Sequence, residues 1–328
     1  MKLAVTVLVV VLAGVSAFGQ GSPTLRVVTD DPNLPSELYY GNIKVKPLRV
    51  RPGTNPPQIV TINDTDFFVQ EHYIDFFSRM PDQSGFNFWN KDINNCSPKP
   101  GCTDLKRTNV SAAFFVSVEF QQTGYLVERI YRSAYGNATG NSTSGGPPHT
   151  LTVPIIRFNE FLPDTRTIGN GLVVGQTGWE AVLENNKVAF TQAFVQRQRF
   201  VNDFPLSMTP AEFVDKLNLN AGNALDAGQR TAAINLFSGA ADSSNTTARA
   251  QALRQVAEDL DLYNDEYNRA FVLMQYMGYL RRDPDSGPDT DYSGYDFWLK
   301  KLNAFNGNYV NAQMVRSFLI SGEYLNRF

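Results

Sequence analysis

The chain has 328 residues, a formal net charge of −3, 42% hydrophobic residues and 12% aromatic residues. That length and apolar content build one large domain or two of ordinary size, and exclude a disordered chain. The near-neutral charge offers no basic face for general nucleic-acid binding, and no run of Lys and Arg suits anionic lipid.

Residues 1–19 read as a signal peptide. Met1-Lys2 precedes an uncharged stretch over residues 3–17, and Val15, Ser16 and Ala17 supply the small residues of a cleavage site. The apolar run is shorter than the roughly 20 residues of a membrane span. The expected mature chain is therefore secreted or extracytoplasmic, at the cell envelope, with no membrane span; a retained N-terminal anchor is the rival. Residues 20–64 form a Pro-rich, partly extended arm expected to lie on the following domain. Pro23, Pro32, Pro35, Pro47, Pro52, Pro56 and Pro57 forbid long helices there, and residues 25–28 and 43–46 alternate weakly, as short strands do.

From residue 65 the spacing turns helical. Asn63, Asp64 and Asp66 offer N-caps to a helix over residues 67–79, which Pro81 stops. Ser84-Gly85 restarts a helix through Phe86, Phe88 and Trp89. Residues 110–125 read as an apolar helix ended by Gly124, and residues 126–135 as another, completing a first helical repeat over residues 65–136. Residues 137–178 are expected as linker and irregular segment: 137–149 carry no apolar pattern, and 151–178 hold Pro154, Pro163 and several glycines. Helical spacing returns over 180–200. Thr209-Pro-Ala-Glu212 is a capping box with Pro at the first helical position. Further helices are expected from Asp226, over 246–260 and 263–281, and then over 297–305 and 310–324. Residues 179–328 thus hold a degenerate middle repeat and a C-terminal helical repeat. The fold class predicted is all-α, in repeated helix–loop–helix–helix units behind the extended arm.

The repeat is visible without gaps on its first part. Tyr73-Ile-Asp-Phe-Phe-Ser-Arg-Met-Pro-Asp82 lies over Tyr276-Met-Gly-Tyr-Leu-Arg-Arg-Asp-Pro-Asp285, and Ser84-Gly-Phe-Asn-Phe-Trp89 over Ser293-Gly-Tyr-Asp-Phe-Trp298. One residue separates these blocks in the first copy and seven in the second, so the second loop carries six more. Residues 114–120 match 318–324. A worn trace of the same unit sits at Gly178-Trp179 and residues 194–200, where Arg197 and Arg199 replace the Ser and Glu. The pattern resembles the bacterial domain of unknown function numbered 4214. Arg79, Pro81, Asp82, Gly85, Trp89, Ser117, Glu119 and Phe120 match its motif in one copy. In the other, Asp283, Pro284, Asp285, Gly294, Trp298, Ser321, Glu323 and Tyr324 match. The resemblance implies an exported helical module without established activity.

Candidate sites follow. Cys96 and Cys102 flank a Ser-Pro-Lys-Pro-Gly turn and are expected to form a disulfide; a metal site would need further ligands, with His72 as the one other candidate nearby. The loop carrying Asp289, Asp291 and Ser293, with Asp283 and Asp285 close in sequence, has the alternating oxygens and following Gly294 of a calcium loop, although Lys300 stands where an EF-hand has Glu. The rival reading is a solvated loop in which Ser293 caps the next helix with Asp296 as partner. The corner residues Arg79, Asp82, Gly85 and Trp89, with Arg281, Asp285, Gly294 and Trp298, read as scaffold: core tryptophans and ion pairs to Asp82 or Glu119. A glycan-stacking platform is the functional alternative for the tryptophans. The chain has two histidines and no Gly-x-Ser-x-Gly elbow, His-Glu-x-x-His or phosphate-binding Gly-Lys-Ser/Thr loop. The function expected is therefore a non-catalytic exported module that binds a surface polysaccharide or an envelope protein. A calcium-stabilised surface module and a carboxylate-based polysaccharide hydrolase are the alternatives.

Overall fold

In the computed structural model the described residues are 58–96 and 100–328, with the strand backbone of Thr24–Arg26, Ser36–Tyr40 and Ile43–Arg51. The expected signal peptide lies outside these residues. The chain forms two compact units, Met1–Val60 with Phe328, and Thr61–Arg327. In the first, β1 (Thr24–Arg26), β2 (Ser36–Tyr40), β3 (Ile43–Arg51) and β4 (Gln58–Val60) form one antiparallel sheet in sequence order. The proline-rich segment therefore bonds to itself as a meander.

The second unit is helical. It starts with α1 (Thr65–Phe77), α2 (Gln83–Asn94), α3 (Cys102–Val116), α4 (Val118–Gln122) and α5 (Gly124–Tyr135). A hairpin of β5 (Asn137–Ser142) and β6 (His149–Pro154) follows. Next come α6 (Phe158–Ile168), α7 (Trp179–Phe194), α8 (Gln198–Asp203), α9 (Pro210–Asn220), α10 (Ala227–Asn235) and α11 (Thr246–Ala257). α12 (Leu260–Met274) runs on as a π-helix over Gln275–Leu280. α13 (Ser293–Ala304), α14 (Met314–Leu319) and α15 (Gly322–Leu325) close the chain.

Within the helical unit α5 is a hub, with ten of its 12 residues buried. It touches α4, α6, α9, α11 and α12. A helix covered on all sides must satisfy its polar groups inside the fold. Arg129 donates to the Ala257 carbonyl at 2.8 Å, Arg132 to Glu266 at 2.8 Å, and the Tyr131 hydroxyl to Asp164 at 2.9 Å. Each bond ties the hub to a helix more distant in sequence.

Three expectations change. Gly124 does not end a helix; it opens α5, because the Phe120 ring lies 2.5 Å from where a Cβ would stand. The helix expected over 110–125 breaks at Ser117, which adopts φ −64° and ψ 149° and caps α4. Residues 137–178 hold the hairpin and α6 where linker and irregular chain was expected. The capping box at Thr209 forms as read: Glu212 Oε2 accepts from the Thr209 N–H at 2.8 Å, and Thr209 Oγ1 accepts from the Glu212 N–H at 3.3 Å. Cys96 and Cys102 are bonded, with their Cα atoms 5.7 Å apart, inside the usual disulfide range. No helix among the described residues is long and apolar enough to cross a membrane.

Candidate functional site

The two corners singled out in the sequence carry the same set of contacts. α1 ends at Ser78 with φ 54°, and the π-helix ends at Arg281 with φ 56°. The next residue is an arginine in each. Arg79 Nε and Nη2 donate to Glu119 at 2.7 and 2.9 Å; Arg282 Nε and Nη2 donate to Glu323 at 2.5 and 2.9 Å. The guanidiniums also lie over Tyr73 and Tyr276, at 4.9 and 5.3 Å. Glu119 and Glu323 are placed by Ser117 and Ser321, whose hydroxyls accept from the N–H of Phe120 at 3.2 Å and of Tyr324 at 3.1 Å. These forked charge-assisted pairs fix the loop to the apolar helix that follows.

The glycines have one cause. A Cβ on Gly85 would stand 2.1 Å from the Tyr73 hydroxyl, and one on Gly294 would stand 2.5 Å from the Tyr276 hydroxyl. Burial raises both tyrosines above their ordinary pKa, so both present neutral hydroxyls.

The acids differ from the sequence alignment. Asp82 caps α2, accepting from the Gly85 N–H at 2.9 Å and the Ser84 hydroxyl at 2.6 Å, and these bonds hold its carboxyl below the usual range. In the last corner that place belongs to Asp291, which accepts from the Ser293 N–H and hydroxyl, each at 2.9 Å. Asp285, aligned with Asp82, instead pairs with Arg157 at 2.8 Å. The six extra residues enter before the capping acid.

The calcium ligand set does not assemble. Asp283 accepts from the Phe158 N–H at 2.7 Å and pairs with Arg157 at 3.2 Å; Asp289 pairs with Arg282 at 2.6 Å. Two arginines thus take up Asp283, Asp285 and Asp289, while Asp291 and Ser293 bond each other. No group of three or more His, Cys, Asp or Glu side chains that could hold a metal ion occurs among the described residues. Asp296 is not the capping partner of Ser293. It is buried against the hairpin, accepting from Ser142 at 2.7 Å, Lys300 at 2.7 Å and His149 at 3.0 Å. Burial opposes its charge, yet these donors hold its carboxyl below the ordinary value. Sequence reading missed this cluster because Ser142 and His149 lay in the supposed linker.

The tryptophans are half-buried, where core anchors were expected. Trp89 meets Phe114 at 5.9 Å with tilted rings and Phe88 edge-on at 4.8 Å; Trp298 likewise meets Phe318 at 5.5 Å and Phe297 edge-on at 5.1 Å. Phe88 is 62% exposed and Phe297 50%. The corners diverge in what covers the indole. Lys301 lies over Trp298 at 4.9 Å. At the place Lys301 holds, the first corner has Asp92, whose carboxylate is paired with Lys106 at 2.5 Å. Trp89 instead borders an open cleft of 290 Å³, lined also by Tyr73, Phe77, Arg79, Asp82 and Glu119. Its charged walls are already paired with each other, Arg79 standing 3.6 Å from Asp82 as well as on Glu119.

The middle trace lacks this geometry. Trp179 begins α7, and Arg197 and Arg199 pair with Asp164 at 2.6 Å and Glu160 at 2.8 Å. His72 is buried and bridges helices: its Nδ1–H donates to the Phe68 carbonyl at 2.8 Å, so its Nε2 accepts from Ser111 at 2.7 Å. Ser111 in turn bonds the Tyr279 hydroxyl. Burial lowers the imidazole pKa to about 4, and the ring is neutral. The interior acids Glu128 and Glu266 are buried too, and neither lines the Trp89 cleft.

No protein-family model matches the chain, and no curated protein or solved structure matches it.

Proposed function

We propose that the chain is an exported, non-catalytic module that binds a neutral extracellular polysaccharide, with Trp89 as the stacking platform. The observation that carries this reading is the half-buried indole of Trp89 at the mouth of a 290 Å³ cleft whose charges are internally paired. An apolar ring face beside committed polar groups suits a sugar ring, which offers C–H faces and neutral hydroxyls. The bonded Cys96–Cys102 pair is compatible with an oxidising compartment. The resemblance to the family of unknown function, drawn from the corner motif, agrees with export.

The test is titration of the protein with soluble neutral oligosaccharides of glucan, xylan and mannan type, read by tryptophan fluorescence and calorimetry. Trp89→Ala is expected to weaken binding by about tenfold or more, the loss of one central aromatic contact. Trp298→Ala, whose indole is covered by Lys301, retains it. Equal binding by wild type and Trp89→Ala, or none to the whole panel, overturns the reading.

A further inference from the structure

A second cavity, of 480 Å³, opens between the start of α6 and the loop that follows the π-helix. Its wall presents Arg157, Arg281 and Arg282, with Asn159 and Ser286, and one acid, Asp283. Two of the three arginines are spoken for. Arg282 gives its donors to Glu323, Asp289 and the carbonyls of Asp283 and Pro284. Arg157 holds Asp283, Asp285 and the Tyr292 hydroxyl. Asp283 is itself consumed by Arg157 and the Phe158 N–H.

Arg281 differs. Its Nη1 donates to the Asp75 carbonyl at 2.8 Å, but its Nε stands 3.7 Å from the Asp75 carboxylate, beyond hydrogen-bond length. That carboxylate is already gripped at both oxygens by Arg327, at 2.8 Å each. The guanidinium of Arg281 rests over the Phe158 ring at 5.1 Å. A guanidinium has five N–H donors in a planar fork; here one is engaged by the Asp75 carbonyl, the charge lies within ion-pair distance of the Asp75 carboxylate, and the side chain lines the cavity. Burial, with Arg327 and Arg166 nearby, holds its pKa below the ordinary value, although Asp75 and Glu71 pull the other way.

We infer that this cavity is a binding site for an oxyanion, held by the Arg281 fork with Asn159 and Ser286 as neutral donors. Carboxylate, sulfate and phosphate share that chemistry; they reach the site as a free anion or as the charged group of an acidic sugar. The cavity is large enough for a monosaccharide. The inference does not depend on the Trp89 reading, since the cavity shares no lining residue with that cleft. The corresponding residue of the first corner is Ser78, so the site belongs to the last corner alone.

The experiment is calorimetric titration at fixed ionic strength with sodium sulfate, sodium phosphate and methyl glucuronide, against sodium chloride as blank. Wild type is expected to bind at least one of the three. Arg281→Gln weakens that binding at least tenfold. Asn159→Trp, a substitution at an exposed position that removes no charge, blocks the mouth and weakens it comparably, and so serves if Arg281→Gln fails to fold. Binding of methyl glucuronide alone assigns an acidic sugar; binding of the inorganic anions alone assigns a free anion. No heat from any of the three with wild type overturns the inference. So does unchanged binding by Asn159→Trp.

Discussion

A single methyl group discriminates what the Ser-Gly corners are for. Helix propensity alone makes Gly294→Ala favourable by about 1 kcal/mol. The Tyr276 hydroxyl, 2.5 Å from the new Cβ, makes it unfavourable, and overpacking in a filled site costs roughly 1–3 kcal/mol. Urea denaturation should therefore show net destabilisation, and Tyr276→Phe in the same chain should recover part of it. A second residue-scale test concerns Glu128. Burial, and then the neighbouring Glu266, raise its pKa to about 8, against Arg269, Arg129 and Arg132. The folded state thus holds this proton more tightly than the unfolded chain. The stability it contributes is full below the unfolded value near 4.5 and is lost as pH rises through about 8. Glu128→Gln should match wild type near pH 4.5 and exceed it increasingly up to pH 8, by at most about 1.4 kcal/mol per pH unit. A difference independent of pH would falsify the assignment. At this scale the sequence carried the motif but not its partners. The sequence offered Asp82 or Glu119 as the ion-pair partner of Arg79, and Arg79 meets both. That Asp291, rather than Asp285, occupies the place of Asp82 was not readable, since an alignment cannot say on which side of a loop extra residues enter.

Among the elements, helices were legible where an apolar stripe met a cap, as at Thr209 and Asp226. The β5–β6 hairpin was hidden because little on it is apolar: in β5 the buried residues are Gly140 and Ser142, and in β6 Val153 and Pro154. Gly140 is where the hairpin requires a glycine, since a Cβ there would come within 2.5 Å of the Tyr292 ring. The π-helix was equally silent, having no side-chain signature. It places Gly278 on the face of Phe76, where a Cβ would stand 2.4 Å from Cε1, and brings the Tyr279 hydroxyl to Ser111. Gly278→Ala should consequently destabilise the contact between α1 and the π-helix, read as faster amide exchange in both with α9 and α10 unchanged. Uniform acceleration across all helices would argue against a local role.

For the whole molecule, the division at Val60 and Thr61 predicts that a chain starting at residue 61 unfolds cooperatively, with its helical circular dichroism retained. The Cys96–Cys102 ring closes over six residues of separation. Its reduction should cost about 2 kcal/mol and leave the helical unit folded, because a small ring restricts the unfolded chain little. The all-α class and the paired cysteines followed from composition and spacing. The hub did not, because burial on every side of α5 depends on which distant helices arrive there. That dependence has a consequence for the order of events as a chain emerges N-terminus first. Arg132 of the hub waits for Asn220 and Glu266, which lie 88 and 134 positions later, and Arg129 waits for the Ala257 carbonyl, 128 positions later. Until they appear, α5 carries buried-type arginines with nothing to hold them. The early helices are therefore expected to complete their packing only after those later segments have emerged.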